Sequence, residues 1–190
     1  MKITLIQQII DKLRGKPVRI FAFDKKITVM KWVDVDNSSI IGDYTYLGER
    51  VSVTKATIGR YCSIANLVTI GAGEHDIDKI STNCRLSCHN LTEKDCIIGN
   101  DVWIGVNSII RRGVKIGNCA VVGANSFVNK DVPDFAVVGG SPARIIKYRF
   151  TPEVREKILE SKYWEKEPKE AIEIINKLQK YYNEIKTQNN

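Results

Sequence analysis

Histidine is almost missing from this chain: its 190 residues hold two. A zinc centre built on three histidine ligands is therefore excluded. Long apolar runs are missing too. No stretch approaches the roughly 20 consecutive apolar residues of a membrane span, and residues 1–13 are too polar for a signal peptide, which predicts a cytoplasmic protein. The five cysteines are odd in number and scattered, which predicts reduced thiols rather than a disulfide framework. The formal net charge of +7 comes without a dense basic cluster, without interleaved aromatics and without a nucleic-acid motif. It points to a soluble surface that also serves a phosphorylated ligand, not to nucleic acid.

An isoleucine or valine at every sixth position fills the middle of the chain. The clean run is Ile98-Gly99, Ile104-Gly105, Ile110, Ile116-Gly117, Val122-Gly123 and Val128. Four residues after each stands a second small or branched residue: Val102, Ser108, Val114, Ala120, Ser126, Val132. Neither a period of 2 nor one of 3.6 produces this. Six residues make one short strand plus a turn, and three such units close a triangular coil whose leading residues stack into a column. The register occurs earlier as well, at Ile41, Leu47, Val53, Ile58, Ile64 and Ile70, with one five-residue step from Val53 to Ile58 that reads as a deletion at a corner. Twelve such units give four coils, with room for a partial coil at each end.

Between Ile70 and Ile98 the period is lost, in a loop too long for a corner turn that carries both histidines and three of the five cysteines. Long loops in a regular domain are usually either functional or disordered, and the histidines and cysteines here favour function. The flanks differ from the repeat. Leu5, Ile6, Ile9, Ile10 and Leu13 recur at helical spacing ahead of Gly15 and Pro17, predicting a short N-terminal helix. Residues 20–35 alternate and predict strands that cap the open end. Thr151, Pro152 and Glu153 predict a helix start with a hydroxyl N-cap. A second helix is expected from Pro168 with Ile172, Ile175, Leu178 and Tyr182 on one face. The expected organisation is an N-terminal helix with capping strands over 1–38, the repeat body over 39–148 with an extruded loop at 74–96, and a helical tail over 149–190.

The stretches Asp101-Val102-Trp103-Ile104-Gly105, Gly113-Val114-Lys115-Ile116-Gly117, Val121-Val122-Gly123-Ala124 and Asn129-Lys130-Asp131-Val132-Pro133 resemble the acetyl-CoA-binding half of hexapeptide-repeat acyltransferases. So does the turn Val138-Gly139-Gly140-Ser141-Pro142-Ala143-Arg144. The tail from Arg149-Phe150, with Tyr163-Trp164 and Pro168, is similar to the xenobiotic O-acetyltransferase branch and to O-acetyltransferases of surface polysaccharides. The resemblance implies an all-β fold, a left-handed parallel β-helix; its crossovers run against the usual right-handed rule, so the handedness comes from the resemblance. It implies a homotrimer with active sites between subunits. Cys119 stands where the family favours glycine or alanine, with Asn118 expected to take the left-handed corner conformation. Asn83-Cys84-Arg85 stands where the branch commonly has a Pro-Phe pair.

The resemblance implies acetyl transfer from acetyl-CoA to a hydroxyl, with His75 in Gly73-Glu74-His75-Asp76 as general base, a task histidine suits near neutral pH. For acetyl-CoA it implies Val106 and Ala124 beside the pantetheine arm, followed by Asn129 and Lys130. Arg144 and Lys147 are suited to phosphate oxygens. Trp103 either flanks the groove or packs, and packing is the expectation. For the acceptor the candidates are Tyr46, Asp76 and Arg85. His89 has no assigned role, and a zinc site from Cys84, Cys88, His89 and Cys96 has a spacing that fits no familiar centre. Cys62 falls at an inward, small-residue position, which makes an acyl-cysteine route unfavourable. The polar loop residues Asn83, Arg85, Ser87, His89 and Asn90 favour a small-molecule sugar or glycan acceptor. An antibiotic such as a streptogramin or chloramphenicol, or the amine of a nucleotide amino sugar, remains the alternative, and a purely structural prism is the non-enzyme option.

Overall fold

The computed structural model describes residues 26–87 and 94–188. The expected N-terminal helix, residues 20–25 of the leading strands, Cys88 and His89 lie outside these residues. The described chain winds as a triangular prism with three parallel sheets as its faces. The first face stacks strands Thr28–Val29, Tyr46–Leu47, Ser63–Ile64, Trp103–Ile104, Val121–Val122 and Ala136–Gly140. The second stacks Asp34–Val35, Ser52–Val53, Thr69–Ile70, Ile109–Ile110 and Phe127–Val128. The third stacks Ile40–Ile41, Ala56–Ile58, Cys96–Ile98 and Lys115–Ile116, and is extended by a bridge from Ile116 to Val132.

Successive coils pair 18 residues apart, as in Trp103 with Val121, and the five-residue step shortens this to 17 for Ile40 with Thr57. The hexad residues point inward as the period requires: Leu47, Ile64, Ile70, Ile104, Ile110 and Val122 are 0% exposed. Each buried aliphatic side chain contributes about 1.5–3 kcal/mol by leaving water. The second inward position tolerates hydroxyls because the next coil offers a carbonyl. Thr45 Oγ1 donates to the Gly59 carbonyl at 2.9 Å, and Ser108 Oγ to that of Gly123 at 2.9 Å.

Two expectations change here. The leading strands Thr28–Val29 and Asp34–Val35 are not a cap; they pair in parallel with the second coil and form the first coil. Met30 stands where later coils of its face have glycine or alanine, and Asp36 where later coils of its face have Thr54, Gly71, Arg111 and Asn129, so the period reads there as plain alternation. At the Cys119 corner it is Cys119, at φ 57°, and not Asn118, that takes the left-handed conformation. Asn118 instead stitches coils, accepting from Asn100 N at 2.9 Å and donating its own N–H to Asp134. That corner position, three residues past the inward aliphatic, is left-handed coil after coil, at Tyr44, Tyr61, Asp101 and Cys119, with Phe135 next in line.

These same five residues, stacked along the edge between the third and first faces, hold the C-terminal tail. Tyr44 donates its hydroxyl to Glu167, Tyr61 donates to the Lys166 carbonyl at 2.7 Å, and Tyr163 donates to Asp101 Oδ2 at 2.6 Å. The Cys119 carbonyl accepts from Arg149 Nη1 at 2.8 Å, and Phe135 meets Phe150 edge-on. The antiparallel strand Ala143–Tyr148 closes the first face and leads into α1 (Pro152–Ser161), a 3-10 turn (Tyr163–Glu165) and α2 (Pro168–Gln188). Thr151 occupies the N-cap of α1, but its hydroxyl makes no capping bond. α2 packs through Ala171, Ile174, Leu178, Tyr181, Tyr182 and Ile185, leaving Ile172 and Ile175 56% and 40% exposed. Aliphatics lie on two overlapping helical stripes, and the sequence does not say which one meets the prism.

Candidate active site

With one edge covered by the tail, the candidate residues divide between the other two edges. The extruded loop leaves the prism at Gly71, on the edge between the second and third faces. Its root is pinned to the coil above. Buried Arg112 donates from Nε and Nη2 to the Gly71 carbonyl at 2.9 and 2.6 Å, and Arg111 grips Glu74 with two nitrogens at 2.6 and 3.1 Å. The Glu74 carboxylate also raises the pKa of the Arg111 guanidinium. Neither arginine stands out in the sequence except that Ile110-Arg111-Arg112-Gly113 is the one hexad of the run from Ile41 onward in which a charged residue follows the inward aliphatic.

His75 is exposed one residue beyond this clamp, and its Nδ1 lies 2.6 Å from the Thr82 carbonyl. A carbonyl can only accept, so Nδ1 carries the proton and Nε2 is the basic nitrogen of the neutral ring. Asp76 accepts the amide of Asp78 in a local turn, and Arg85 is held through its backbone N–H by Asn83 Oδ1. Asn129 and Lys130 lie on this same edge, past the strand Phe127–Val128. The bolder zinc reading does not fit: Cys96 is 0% exposed inside the prism, its thiol donating to the Arg111 carbonyl at 3.2 Å, while Cys84 is exposed on the loop. Among the described residues no three His, Cys, Asp or Glu side chains cluster as a metal site.

Val106 and Ala124 occupy the third edge, between the first and second faces. They are one coil apart and both exposed, and Asn125 N donates to the Val106 carbonyl at 2.9 Å. The Gly140 turn sits above them, its N–H on Ser126 Oγ at 3.2 Å, so Arg144 emerges at the top of the same edge with an exposed side chain. Lys147 pairs with Val137 towards the far side of the first face and does not share that edge. Outward on the first face, Tyr46, Ser63, Trp103, Val121 and Val137 form a straight column of paired residues. Trp103 is 55% exposed and does not pack. It lines a cleft of about 490 Å³ with Ser63, Val121 and Arg149.

The histidine edge and the Val106–Ala124 edge are separated by the second face, roughly 15 Å at about 3.3 Å per strand residue. Burial pushes the thiol of Cys62 up to about 12, which keeps it protonated at neutral pH and unsuited to nucleophilic attack.

The six-repeat hexapeptide signature of bacterial transferases matches residues 95–130. A protein of Escherichia coli K12 provisionally named a lipopolysaccharide-biosynthesis O-acetyl transferase is 34% identical, covering 80% of this chain and 72% of its own length. A chloramphenicol acetyltransferase of Klebsiella aerogenes is 38% identical over 61% of this chain, which spans 62% of that relative's length. Among solved structures, a maltose O-acetyltransferase of Clostridium difficile 630 superposes with a TM-score of 0.60 at 30% identity, over 67% of this chain and 68% of its own. A Vibrio cholerae hexapeptide-repeat acetyltransferase complexed with acetyl coenzyme A gives 0.54 at 32% identity, over 63% and 66%. The chain belongs to the hexapeptide-repeat transferase family, and its fold is the left-handed parallel β-helix.

Proposed function

We propose that the protein is an acetyl-CoA-dependent O-acetyltransferase that acts on a hydroxyl of a sugar or surface glycan, as a homotrimer with active sites between subunits. The observation that carries the chemistry is the Nδ1 contact of His75 with Thr82, which leaves Nε2 as the base. As the acceptor oxygen attacks the thioester carbonyl, Nε2 takes its proton; when the tetrahedral intermediate collapses, the imidazolium returns that proton to the departing CoA sulfur. The second face supports the trimer. It holds His75, Asn129 and Lys130 away from Val106, Ala124 and Arg144, so that a neighbouring copy must bring one edge against the other. In such an assembly the pantetheine arm runs along Val106 and Ala124, and Arg144 meets phosphate oxygens. The acceptor lies between Asp76 and Arg85 of one copy and the Tyr46 column of the next.

The relatives named for maltose and lipopolysaccharide acetylation support a glycan acceptor. Chloramphenicol is the second reading. It is favoured by the 38% identical relative and by Ile77, Ile80 and Leu86, which project from the loop 84%, 109% and 76% exposed and offer apolar cover for an aromatic drug. The test is CoA-thiol release from acetyl-CoA with wild type and His75→Ala across maltose, galactosides, nucleotide amino sugars, streptogramins and chloramphenicol. Acceptor-dependent release is expected with a sugar, lowered about 10²–10⁴-fold in the variant, the usual contribution of a general base. Release undiminished in His75→Ala removes the histidine from the mechanism; release with chloramphenicol alone replaces the glycan reading.

A further inference from the structure

The tail-covered edge holds a cleft of about 180 Å³ between the corner ladder and the two C-terminal helices. None of the candidate acetyl-transfer residues lines it. Its walls are apolar at one end, where Phe135, Val154, Ile158 and Leu178 meet Tyr182. The other end is polar, with Asp101, Tyr163 and Arg149. Gln179 and Ile175, both exposed on α2, form the mouth.

We propose that this cleft binds a neutral monocyclic aromatic molecule carrying one hydrogen-bond donor, of the phenol or aniline class. Size sets the ring: an apolar cavity of about 150 Å³ accommodates benzene, and this one is slightly larger. Aromatic walls favour edge-to-face contact with a second ring, as Phe150 and Tyr182 already make at 5.1 Å. The polar end sets the substituent. Asp101 accepts the Tyr163 hydroxyl and hydrogen-bonds the Cys119 thiol, yet a carboxylate offers about four acceptor sites, so it has capacity for a ligand donor. Charge excludes the ions. Arg149 lies 4.0 Å from Asp101 and 5.0 Å from the Phe150 ring centre, so the cation position is already taken, and an anionic ring would face the Asp101 carboxylate.

The site is independent of acetyl transfer, and its test needs no substrate. Calorimetric titration of the full chain with phenol, toluene and benzoate is compared with titration of Gln179→Trp, which plugs the mouth from an exposed position. Saturation-transfer NMR then locates phenol against the ring protons of Tyr163, Tyr182 and Phe150. Phenol is expected to saturate in the millimolar range or tighter, at least tenfold more tightly than toluene or benzoate. Its affinity is expected to weaken at least tenfold in Gln179→Trp. Absence of saturable phenol binding, toluene binding as tightly as phenol, or contacts away from those three rings would each overturn the proposal.

Discussion

Two glycines at the root of the histidine loop make opposite predictions although only one residue separates them. Gly71 has φ +69°, and a Cβ there falls 2.1 Å from the Thr54 carbonyl oxygen, a backbone atom of the coil below. Its own carbonyl is the one held by Arg112. Gly71→Ala therefore meets a left-handed penalty of about 1–2 kcal/mol, and displacing backbone adds about 1–3 kcal/mol of overpacking. The sum, about 3 kcal/mol, lowers the melting temperature by roughly 6–12 °C for a chain of this size. Gly73 lies outside the left-handed region, and its Cβ would meet nothing within 4 Å. Gly73→Ala is expected to be neutral or to stabilise by up to about 1 kcal/mol, through the entropy removed from the unfolded chain. Calorimetric melts of both variants and wild type at one protein concentration check the pair. A Gly71→Ala melt within about 2 °C of wild type, or an equal fall in both variants, would refute the reasoning, since strain at Gly71 is its whole basis.

Ile110→Ala removes a side chain that is 0% exposed in the inward column and is expected to cost about 2–5 kcal/mol by denaturant titration. Arg112→Met deletes both donors to Gly71 and should lower stability by about 2 kcal/mol, with a larger relative loss of acetyl transfer because the root of the His75 loop is freed. Burial pushes the thiols of Cys62 and Cys119 up to about 12, so that above their ordinary value the unfolded chain loses protons that the folded chain keeps. The sign is destabilising as pH rises: a plot of stability against pH is expected to fall between about pH 9 and 12, and Cys119→Ala should flatten that slope by up to about 1.4 kcal/mol per pH unit.

The period of six is legible because it is a steric requirement on every coil: Ile104, Ile110 and Val122 must be branched and inward, so the architecture is written in one dimension. The five-residue step at Val53 is legible for the same reason, and the register of Ile40 with Thr57 carries it. The first coil is hidden because Met30 and Asp36, rather than glycine or alanine, follow its inward valines. What the linear pattern does not contain is which edge each residue reaches. Arg111 and Arg112 become partners of Glu74 and Gly71, 37 and 41 residues away, only because the intervening chain closes one coil and extrudes a loop. Trp103 is inward by composition and outward by register, since it precedes the inward Ile104. Tyr44, Tyr61, Asp101, Cys119 and Phe135 share no sequence motif. They become a docking ladder because each occupies the left-handed corner of its own coil, and stacking coils turns one repeated backbone conformation into a continuous edge. The sequence by itself determined the prism, through a local repeat that only one packing satisfies. The tertiary structure alone decided how its three edges are used: one for the tail, one for the histidine loop, and one for Val106 and Ala124.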